Sequence, residues 1–474
     1  MEQMMIQVRK IAQAVDVWAA LHRQELVDDL KGLIAIRSVS QPGEGGYAFG
    51  SGCKEALEYL LTLGRKYGFA VENDADHCLS ILLPGQKGEC ELGLLGHLDV
   101  VPEGEGWKHD PFCAVEKDGY VIGRGSSDNK GPVLMALYVL RCMRELGYAL
   151  KSDLRLIAGC DEECEMRDVQ HYLQTHTPPA YTLNCDGAWA LCIGEKGILT
   201  AEIVQRLEDD NLLDMGGGTA SNMVPEEAWV KFAALSAEAL ARAHALCPGV
   251  ETERDAQGIT LRVRGAAAHC YVPNQGRNAI VKLLHLLDDA RLLDQNAQEG
   301  VRRLLACFPD DYGTGLRIFH EDSASGKTTC VPSLLRMENG ELILHINVRY
   351  AVTQQSRQLI AAMEKRLHKL GMRCQKITND PPRYDSPDHP IVKMLLENCR
   401  ELLGKQHKPY VMGGGTHSRR FPNSIPYGPL VLSAGQKQPF GEPHGPDEAV
   451  CVDQLLKAMK VYVMALMRLD EMLA

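Results

Sequence analysis

Three short apolar runs, each ending in histidine or acidic residues, are the strongest constraint on this chain. They are LGLLGHLD, with His97 and Asp99 at its end; LRLIAGCDEE, with Glu162 and Glu163; and YTLNCDG, with Asp186. Continuous apolar runs of this length are typical of strands that are buried on both faces of a parallel sheet. Ligands of such sheets bind beyond the carboxyl ends of the strands. The runs therefore predict one site at one edge of a parallel sheet.

Helical segments alternate with these runs and predict an α/β fold, in which helices flank a mostly parallel sheet. Apolar residues recur at helical spacing in five segments, which are residues 11–36, 53–67, 131–146, 390–403 and 451–473.

The pattern changes after Gly194. Alternation of apolar and polar residues indicates strands at Ile198–Arg206, Gly258–Arg264 and Glu341–Tyr350. Stretches rich in alanine and leucine predict helices at 226–246 and 277–306. We therefore expect an inserted α+β domain at residues 195–383, between two segments of the main domain, residues 1–194 and 384–474.

Composition and charge exclude several classes of partner. The chain has 474 residues and a formal net charge of −11, which argues against binding to nucleic acid. No apolar stretch of about 18 residues is present, so we expect no membrane span. The N-terminus lacks the apolar core of a signal peptide. In a chain without a signal peptide, the sixteen cysteines are expected to be reduced thiols. Reduced thiols are typical of the cytosol, so we expect a cytoplasmic protein.

The candidate site residues have chemistry that suits metal binding. The imidazole of His97 can bind a metal ion, and Asp99, two residues on along an extended segment, can fix its tautomer. Asp128, in GRGSSDNKG, stands near a helix N-terminus, where negative charge is favoured. Adjacent acids such as Glu162 and Glu163 are unfavourable in a cleft unless cations neutralise them. One would bind metal and the other would act as general base.

His444 lies between Pro443 and Gly445 in GEPHGPDE, far along the chain from the other residues. Two imidazoles and several carboxylates suit Zn²⁺, with Mn²⁺ or Co²⁺ as alternatives, and such a set can hold two ions. A thiolate zinc site, drawn from Cys160, Cys164, Cys185 and Cys270, is the other reading, although the spacings fit no standard pattern.

At these residues the sequence resembles the M20 family of metallopeptidases, and within it the PepV-type dipeptidases. The matching motifs occur in the family's order and are LGLLGHLDVVPEGEGW, GRGSSDNKGP, GCDEECE, NCDG, GGGTASNMVP, RGAAAHCYVPNQGRNAI, INVRY, GGGTHSR and GEPHGPDE. The resemblance implies a catalytic domain of the zinc-peptidase type, and it implies that the insertion is a lid domain.

The resemblance also implies a role for each residue of the metal centre. His97, Asp128 and Asp186 would hold one ion. Asp128, Glu163 and His444 would hold the other, so that Asp128 bridges the two. A cis peptide would follow Asp128.

Catalytic and substrate-binding roles are implied in the same way. Asp99 would orient His97, and Glu162 would act as general base on a metal-activated water. His269, in the lid, would stabilise the oxyanion. Substrate would be bound by Asn222, by Arg349 at its C-terminal carboxylate, and by Thr416 and Arg419.

Two residues and one segment depart from the family pattern. His417 stands where the PepV group usually has tyrosine, so the pocket beside the Gly-rich loop is expected to differ. TTCVPSLLRMENG lacks the usual asparagine and glycine before INVRY. Asn129 follows Asp128 where other members can have aspartate.

The resulting hypothesis is a cytoplasmic dipeptidase that hydrolyses an amide bond in small peptides. The alternative is an amidohydrolase of N-acyl amino acids, a deacylase or desuccinylase, with the same metal centre. A binding protein that has lost catalysis is a third possibility. The expected partners are a small peptide substrate and neither nucleic acid nor membrane, and the chain would be a monomer or a homodimer.

Overall fold

The computed structural model describes residues 2–88, 90–431 and 439–473, and side chains from residue 6 onward. The chain forms two compact units. The first unit comprises Met1–Ile193, Asp385–Tyr410 and Gly415–Ala474, and the second comprises Gly194–Tyr384 and Val411–Gly414.

The helices account for much of the first unit and for one face of the second. In chain order they are α1 (Glu2–Leu21), α2 (Arg23–Ile34), α3 (Ser51–Lys66), α4 (Lys130–Glu145), α5 (Arg167–Thr175), α6 (Ala237–Leu246), α7 (Ala279–Asp289), α8 (Gln295–Leu305), α9 (Ser356–Lys369), α10 (Pro390–Leu403) and α11 (Val452–Leu473).

The strands are mostly short outside the two main sheets. In chain order they are β1 (Ala70–Asp74), β2 (Cys78–Leu83), β3 (Glu91–His97), β4 (Val115–Lys117), β5 (Tyr120–Ile122), β6 (Asp153–Gly159), β7 (Tyr181–Asn184), β8 (Gly187–Ala188), β9 (Cys192–Glu195), β10 (Gly197–Arg206), β11 (Leu212–Gly217), β12 (Met223–Val224), β13 (Glu227–Phe232), β14 (Glu251–Asp255), β15 (Gly258–Arg264), β16 (Ala268–His269), β17 (Glu321–Asp322), β18 (Gly326–Lys327), β19 (Thr329–Glu338), β20 (Glu341–Tyr350), β21 (Arg373–Asp380), β22 (Arg383–Tyr384), β23 (Tyr410–Met412), β24 (Ser424–Pro426), β25 (Pro429–Leu430) and β26 (Ala449–Cys451).

The main sheet of the first unit is mixed. Its strand order is β1-β2-β6-β3-β7-β24. Strands β6, β3, β7 and β24 are parallel to one another, while β1 and β2 run antiparallel at one edge. The three apolar runs of the sequence are β3, β6 and β7, and their carboxyl ends lie side by side. This parallel centre matches the expected architecture, and the antiparallel edge is an addition to it.

Helix α4 forms the centre of the first unit's core. Its residues from Lys130 to Leu140 are all buried, which is unusual for a helix that carries a charged first residue. Lys130 is accommodated because its ammonium donates to the carbonyls of Leu33 and Ile36 at 3.0 and 2.6 Å. Burial nevertheless lowers the pKa of Lys130 to about 8. Helix α4 is thus anchored at its N-terminus, immediately after Asp128.

The second unit is built on an eight-stranded antiparallel sheet with the order β14-β15-β13-β11-β19-β20-β10-β21. Its own hydrophobic core includes residues of this sheet and of α6 to α9, among them Leu283, Leu287, Leu344 and Met363. The unit is therefore α+β, as the sequence predicts for the insertion.

One predicted helix is wrong in part. Residues 227–232 form strand β13, and only residues 237–246 of the expected helix 226–246 are helical, as α6. The physical reason is the period of the apolar residues: Ala228, Val230 and Phe232 alternate with partly exposed residues, so their side chains share one face of a strand. Among the described residues, no helix combines the length and the apolar character that crossing a membrane requires.

Candidate metal centre

The metal-binding candidates meet because three parallel strands end at one level. His97 is the last residue of β3 and pairs in register with Gly159, the last residue of β6. On the other side of β3, Leu95 pairs with Asn184, the last residue of β7. The acids that follow β6 and β7 therefore emerge beside His97, as expected from the direction of parallel strands.

Asp128 lies between two histidines. Its Oδ1 is 3.1 Å from Nε2 of His97, and its Oδ2 is 3.2 Å from Nε2 of His444. Nε2 of His444 is also 2.9 Å from Oε1 of Glu163. The two carboxylate oxygens of Asp128 thus face two different histidines.

Two further acids, Glu162 and Asp186, lie near His97. Asp186 Oδ2 and Glu162 Oε2 are each 3.9 Å from Nε2 of His97. Ligand atoms of His97, Glu162 and Asp186 form one cluster within 4.8 Å, and those of His97, Asp128 and Glu163 form another. Among the described residues, neither of these clusters includes a cysteine, so the geometry does not favour a thiolate site.

This donor set fits divalent cations. Metal–ligand bonds of about 2.0–2.2 Å place neighbouring ligand atoms roughly 3–3.5 Å apart, close to the distances around Asp128. Burial and nearby acids raise the pKa of Asp186 to about 7 and raise the pKa of Glu162 well above its usual value. Hydrogen bonds from His444 and His97 overcome burial and lower the pKa of Asp128. Bound cations would offset the repulsion among these carboxylates.

Asp99 connects His97 to the turn that carries the two adjacent glutamates. Nδ1 of His97 is 3.0 Å from the backbone carbonyl of Asp99 and 3.3 Å from its Oδ1. Donation from Nδ1 to this carbonyl leaves the lone pair of Nε2 for a metal ion. The carboxylate of Asp99 accepts the backbone N–H groups of Glu162 and Glu163 at 3.2 and 3.0 Å. Asp99 therefore orients a histidine and holds both acids.

Glu448 positions Asp128 and was missed by sequence reasoning. Its fully buried carboxylate accepts the backbone N–H groups of Gly125, Ser127 and Asp128 at 3.0–3.1 Å. It also pairs with Arg124 at 2.7 Å.

Arg124 extends this network to the second histidine. Its Nη2 donates to the backbone carbonyl of His444 at 3.2 Å, so one buried ion pair supports residues on both sides of the centre. Glu448 stands within the quoted motif GEPHGPDE, but nothing local in the sequence shows which backbone amides it accepts. The cis peptide that the resemblance implies after Asp128 is present.

His269 and Asn222 are neighbours within the second unit. β12 and β16 pair there, with Met223 opposite His269. The carbonyl of Asn222 accepts the N–H of Cys270 at 2.9 Å. Nδ1 of His269 accepts the backbone N–H of Tyr271 at 3.2 Å, so a neutral His269 carries its proton on Nε2.

Arg349, on β20 in the same unit, is buried and its guanidinium is oriented. Its Nε donates to Oδ1 of Asn347 at 2.8 Å, and its Nη1 donates to the carbonyl of Gly413 at 3.1 Å. Asn347 was not singled out from the sequence, although it stands on the same face of the strand two residues earlier.

Thr416 and Arg419 belong to the first unit, in and around the 3₁₀ turn His417–Arg419. The hydroxyl of Thr416 accepts the side-chain amide of Asn184 at 3.2 Å and the N–H of Ser418 at 3.2 Å. The Arg419 guanidinium lies against Gly415. Thr416 is thus tied to the end of β7, just before Asp186.

Comparison with known proteins agrees with this geometry. The model of peptidase family M20/M25/M40 matches residues 93–468. The Bacillus subtilis protein named "Putative dipeptidase YtjP" is 30% identical over 94% of this chain and 97% of its own length. A Staphylococcus saprophyticus protein that carries the same description is 29% identical over 94% and 97%.

Solved structures match over nearly the whole chain. Human carnosine dipeptidase 1 matches with a TM-score of 0.58 and 15% identity, covering 97% of this chain and 99% of that one. A tripeptidase from Staphylococcus aureus matches with a TM-score of 0.57 and 14% identity, covering 95% and 99%. At 14–15% identity these matches show similarity of fold and nothing more. They confirm the predicted fold class. The resemblance seen in the motifs is confirmed by the family match, and the chain belongs to peptidase family M20/M25/M40 as a metallopeptidase.

Proposed function

We propose that this enzyme is a dipeptidase that uses two divalent metal ions, most simply Zn²⁺, with Mn²⁺ or Co²⁺ as alternatives. The observation that carries the proposal is the position of Asp128, whose two carboxylate oxygens face His97 and His444 separately. In this proposal His97, Asp128 and Asp186 hold one ion, and Asp128, Glu163 and His444 hold the other. Such ions, when bound, polarise the scissile carbonyl and lower the pKa of a water molecule.

Glu162 is the proposed general base. Its carboxylate lies 3.9 Å from His97 Nε2 and makes no hydrogen bond to any residue in the described ranges. Burial raises the pKa of Glu162. A raised pKa suits a carboxylate that must accept a proton and later return it. We propose that it takes a proton from the attacking water and then delivers it to the leaving amine.

Five residues are the proposed contacts of the substrate, and three of them, Asn222, His269 and Arg349, belong to the second unit. We assign oxyanion stabilisation to Nε2–H of His269, because the N–H of Tyr271 occupies the other ring nitrogen. We assign the C-terminal carboxylate to Arg349, whose planar fork suits a bidentate pair. Asn222, Thr416 and Arg419 complete the proposed substrate-binding set.

The dipeptide preference is supported by the names of the relatives that match the chain almost end to end. The alternative, hydrolysis of N-acyl amino acids, would use the same centre. A cytoplasmic location and a monomeric or homodimeric state stay predictions.

The decisive experiment measures metal content and hydrolysis rates on dipeptides and on N-acyl amino acids, before and after treatment with a chelator. We expect about two ions per chain, hydrolysis of dipeptides, and loss of hydrolysis on chelation. Turnover of N-acyl amino acids alone would replace the first proposal with the second. Glu162→Ala should lower kcat by about 10²–10⁴-fold and keep the metal, and a wild-type rate in this variant would refute the assignment of the base.

A further inference from the structure

His417, in the motif GGGTHSR, does not line an open pocket. Its side chain is 1% exposed. Nε2 of His417 lies 3.1 and 3.0 Å from the two carboxylate oxygens of Asp168, which is itself fully buried. The ring of His417 also meets the ring of His97 edge to face, with 6.1 Å between centroids. The side chain thus lies directly behind the metal centre of the first unit.

Asp168 in turn holds the turn that leads to Glu162. Its Oδ2 accepts the backbone N–H of Asp161 at 2.9 Å, and its Oδ1 accepts the N–H of Val169 at 2.7 Å. The approach is so close that a Cβ at Gly159 would lie 2.0 Å from Oδ2 of Asp168. The end of β6 is therefore shaped to receive this carboxylate.

The backbone of the turn is held from two sides. Asp99 accepts the amides of Glu162 and Glu163 on one side, and Asp168 accepts the amide of Asp161 on the other. The carboxylate of Glu162 has no hydrogen bond within the described part of the chain. Its placement consequently depends on the backbone that carries it, and Asp99 and Asp168 are both hydrogen-bonded to that backbone.

We propose that His417 and Asp168 form a brace that positions Glu162 for catalysis. Asp168 grips the turn through the Asp161 amide, and His417 fixes the carboxylate of Asp168 through Nε2. Both act through Glu162 and neither touches substrate, so they are positioning residues. This inference rests on the proposed role of Glu162 as base, and it assigns a role to the buried side chain of His417.

The test compares His417→Phe, which removes the donor, with His417→Gln, whose amide nitrogen can reach the same place as Nε2. Asp168→Asn is the second variant. It replaces one carboxylate oxygen, which accepts a backbone N–H, with an amide NH₂ group that cannot accept it. A matched control is Asp470→Asn. Asp470 is also buried and accepts two backbone amides, those of Lys151 and Ser152 at 2.8 Å, before the opposite end of β6.

We expect His417→Phe and Asp168→Asn to lower kcat by about 10–100-fold, with KM and metal content near wild type. His417→Gln should recover most of kcat. Asp470→Asn should lower the midpoint of urea unfolding while keeping the wild-type kcat. A role in stability alone would move the unfolding midpoint of all these variants and spare kcat in every one, and that result would overturn the brace.

The route of the effect is tested in a Glu162→Gln background. If the brace acts through Glu162, His417→Phe should cause little further loss there, because residues that work as a unit are not additive. A full additional loss would show a different route and reject the proposal. Failure of the base assignment is distinguishable, since Glu162→Gln alone would then keep the wild-type rate, whatever His417→Phe does. The assays use the metal-saturated full chain and whichever amide substrate it hydrolyses best.

Discussion

Glu448 shows how a buried carboxylate can position the backbone of a candidate metal ligand. It lies on the same loop as His444, yet its oxygens accept amides from the segment that carries Asp128. Arg124 completes the arrangement by pairing with Glu448 and donating to the carbonyl of His444. The spacing between the two sides of the centre is therefore set by a pair of charges that are both removed from water.

Replacing Glu448 with glutamine should be costly. The amide would face N–H donors that now have an acceptor, and Arg124 would keep its buried charge without a counterion. Breaking a buried pair from one side costs about 3–5 kcal/mol, so the free energy of unfolding should fall by that amount in urea titrations. Metal affinity should weaken in the same variant, as measured by calorimetric titration.

The control for this prediction is Glu401→Gln. Glu401 is an exposed residue of α10, and the change removes the negative charge that pairs with Arg468. An ion pair at the surface, in which one partner is open to solvent, is worth about 0–1 kcal/mol. Equal losses in the two variants would show that burial of the Arg124–Glu448 pair is irrelevant to its contribution.

At the scale of the elements, the sequence predicted the features that local pattern controls. The apolar runs became β3, β6 and β7, and most of the expected helices are present with ends within a few residues of the prediction. Because each of these three runs ends in a candidate ligand, the convergence of His97, Glu163 and Asp186 could be foreseen from the pattern. The roles of Asp128 and His444 came from the family resemblance instead.

The features that were missed depend on contacts between distant segments. The antiparallel edge of β1 and β2 is set by pairing and not by the composition of the strands. Asp168 was not singled out from the sequence, and its link to His417 joins residues far apart in the chain. The pattern of residues within one segment does not show which distant segment it will contact.

Helix α3 lies close to the sheet because of Gly64. A Cβ there would lie 2.8 Å from Cγ1 of Val71 and 3.0 Å from Cδ1 of Ile81. Alanine favours a helix by about 1 kcal/mol over glycine, but overpacking a core costs about 1–3 kcal/mol. We expect Gly64→Ala to lower the free energy of unfolding despite its better helix propensity.

A double-mutant cycle with Val71→Ala checks the cause of the Gly64 effect. The pair should be more stable than the sum of the two single changes predicts, because the shorter side chain removes the closest contact. An increase in stability from Gly64→Ala alone would contradict the close approach of α3 to the sheet.

Glu25 connects α2 to α3 and α4 and should make this packing sensitive to acid. Its carboxylate pairs with Arg141 at 2.8 Å and with Lys66 at 3.1 Å. Partial burial alone would raise the pKa of Glu25, but these cations lower it to about 2, from an ordinary value of 4.5. The unfolded chain therefore takes up the proton first as pH falls.

It follows that the contribution of Glu25 is fully present above pH 4.5 and is lost as pH falls toward about 2. Unfolding free energies of the metal-free protein, measured across this window, should fall less steeply in Glu25→Gln than in the wild type. Arg141→Met should flatten the curve in the same direction. Parallel curves for wild type and Glu25→Gln would rule out this linkage.

At the scale of the whole molecule, the described residues form two compact units, and all the proposed metal ligands belong to the first unit. Metal ions that bind only folded protein stabilise it by about 2.7 kcal/mol at 100 times Kd. We expect added Zn²⁺ to slow hydrogen exchange in peptides from β3, β6 and β7 far more than in peptides from β13 and β15.

The measurement for this prediction is exchange followed by mass spectrometry on metal-stripped and metal-loaded protein. A His97→Ala variant provides the control, because zinc should protect its first unit much less. Equal protection of both sheets in the wild type would show that the two cores respond to the metal as one.

The first unit is assembled from pieces of chain on both sides of the second, and this has a consequence for biosynthesis. Asp186 leaves the ribosome well before His444, by roughly ten seconds to a minute at 5–20 residues per second. During that interval the growing polypeptide has the acids of the centre but lacks His444 and Glu448. The second unit is encoded almost entirely in one stretch between them, so its sheet can close first. In the proposed two-ion centre, the ion that His444 would help to hold can therefore bind only after the second unit has been translated.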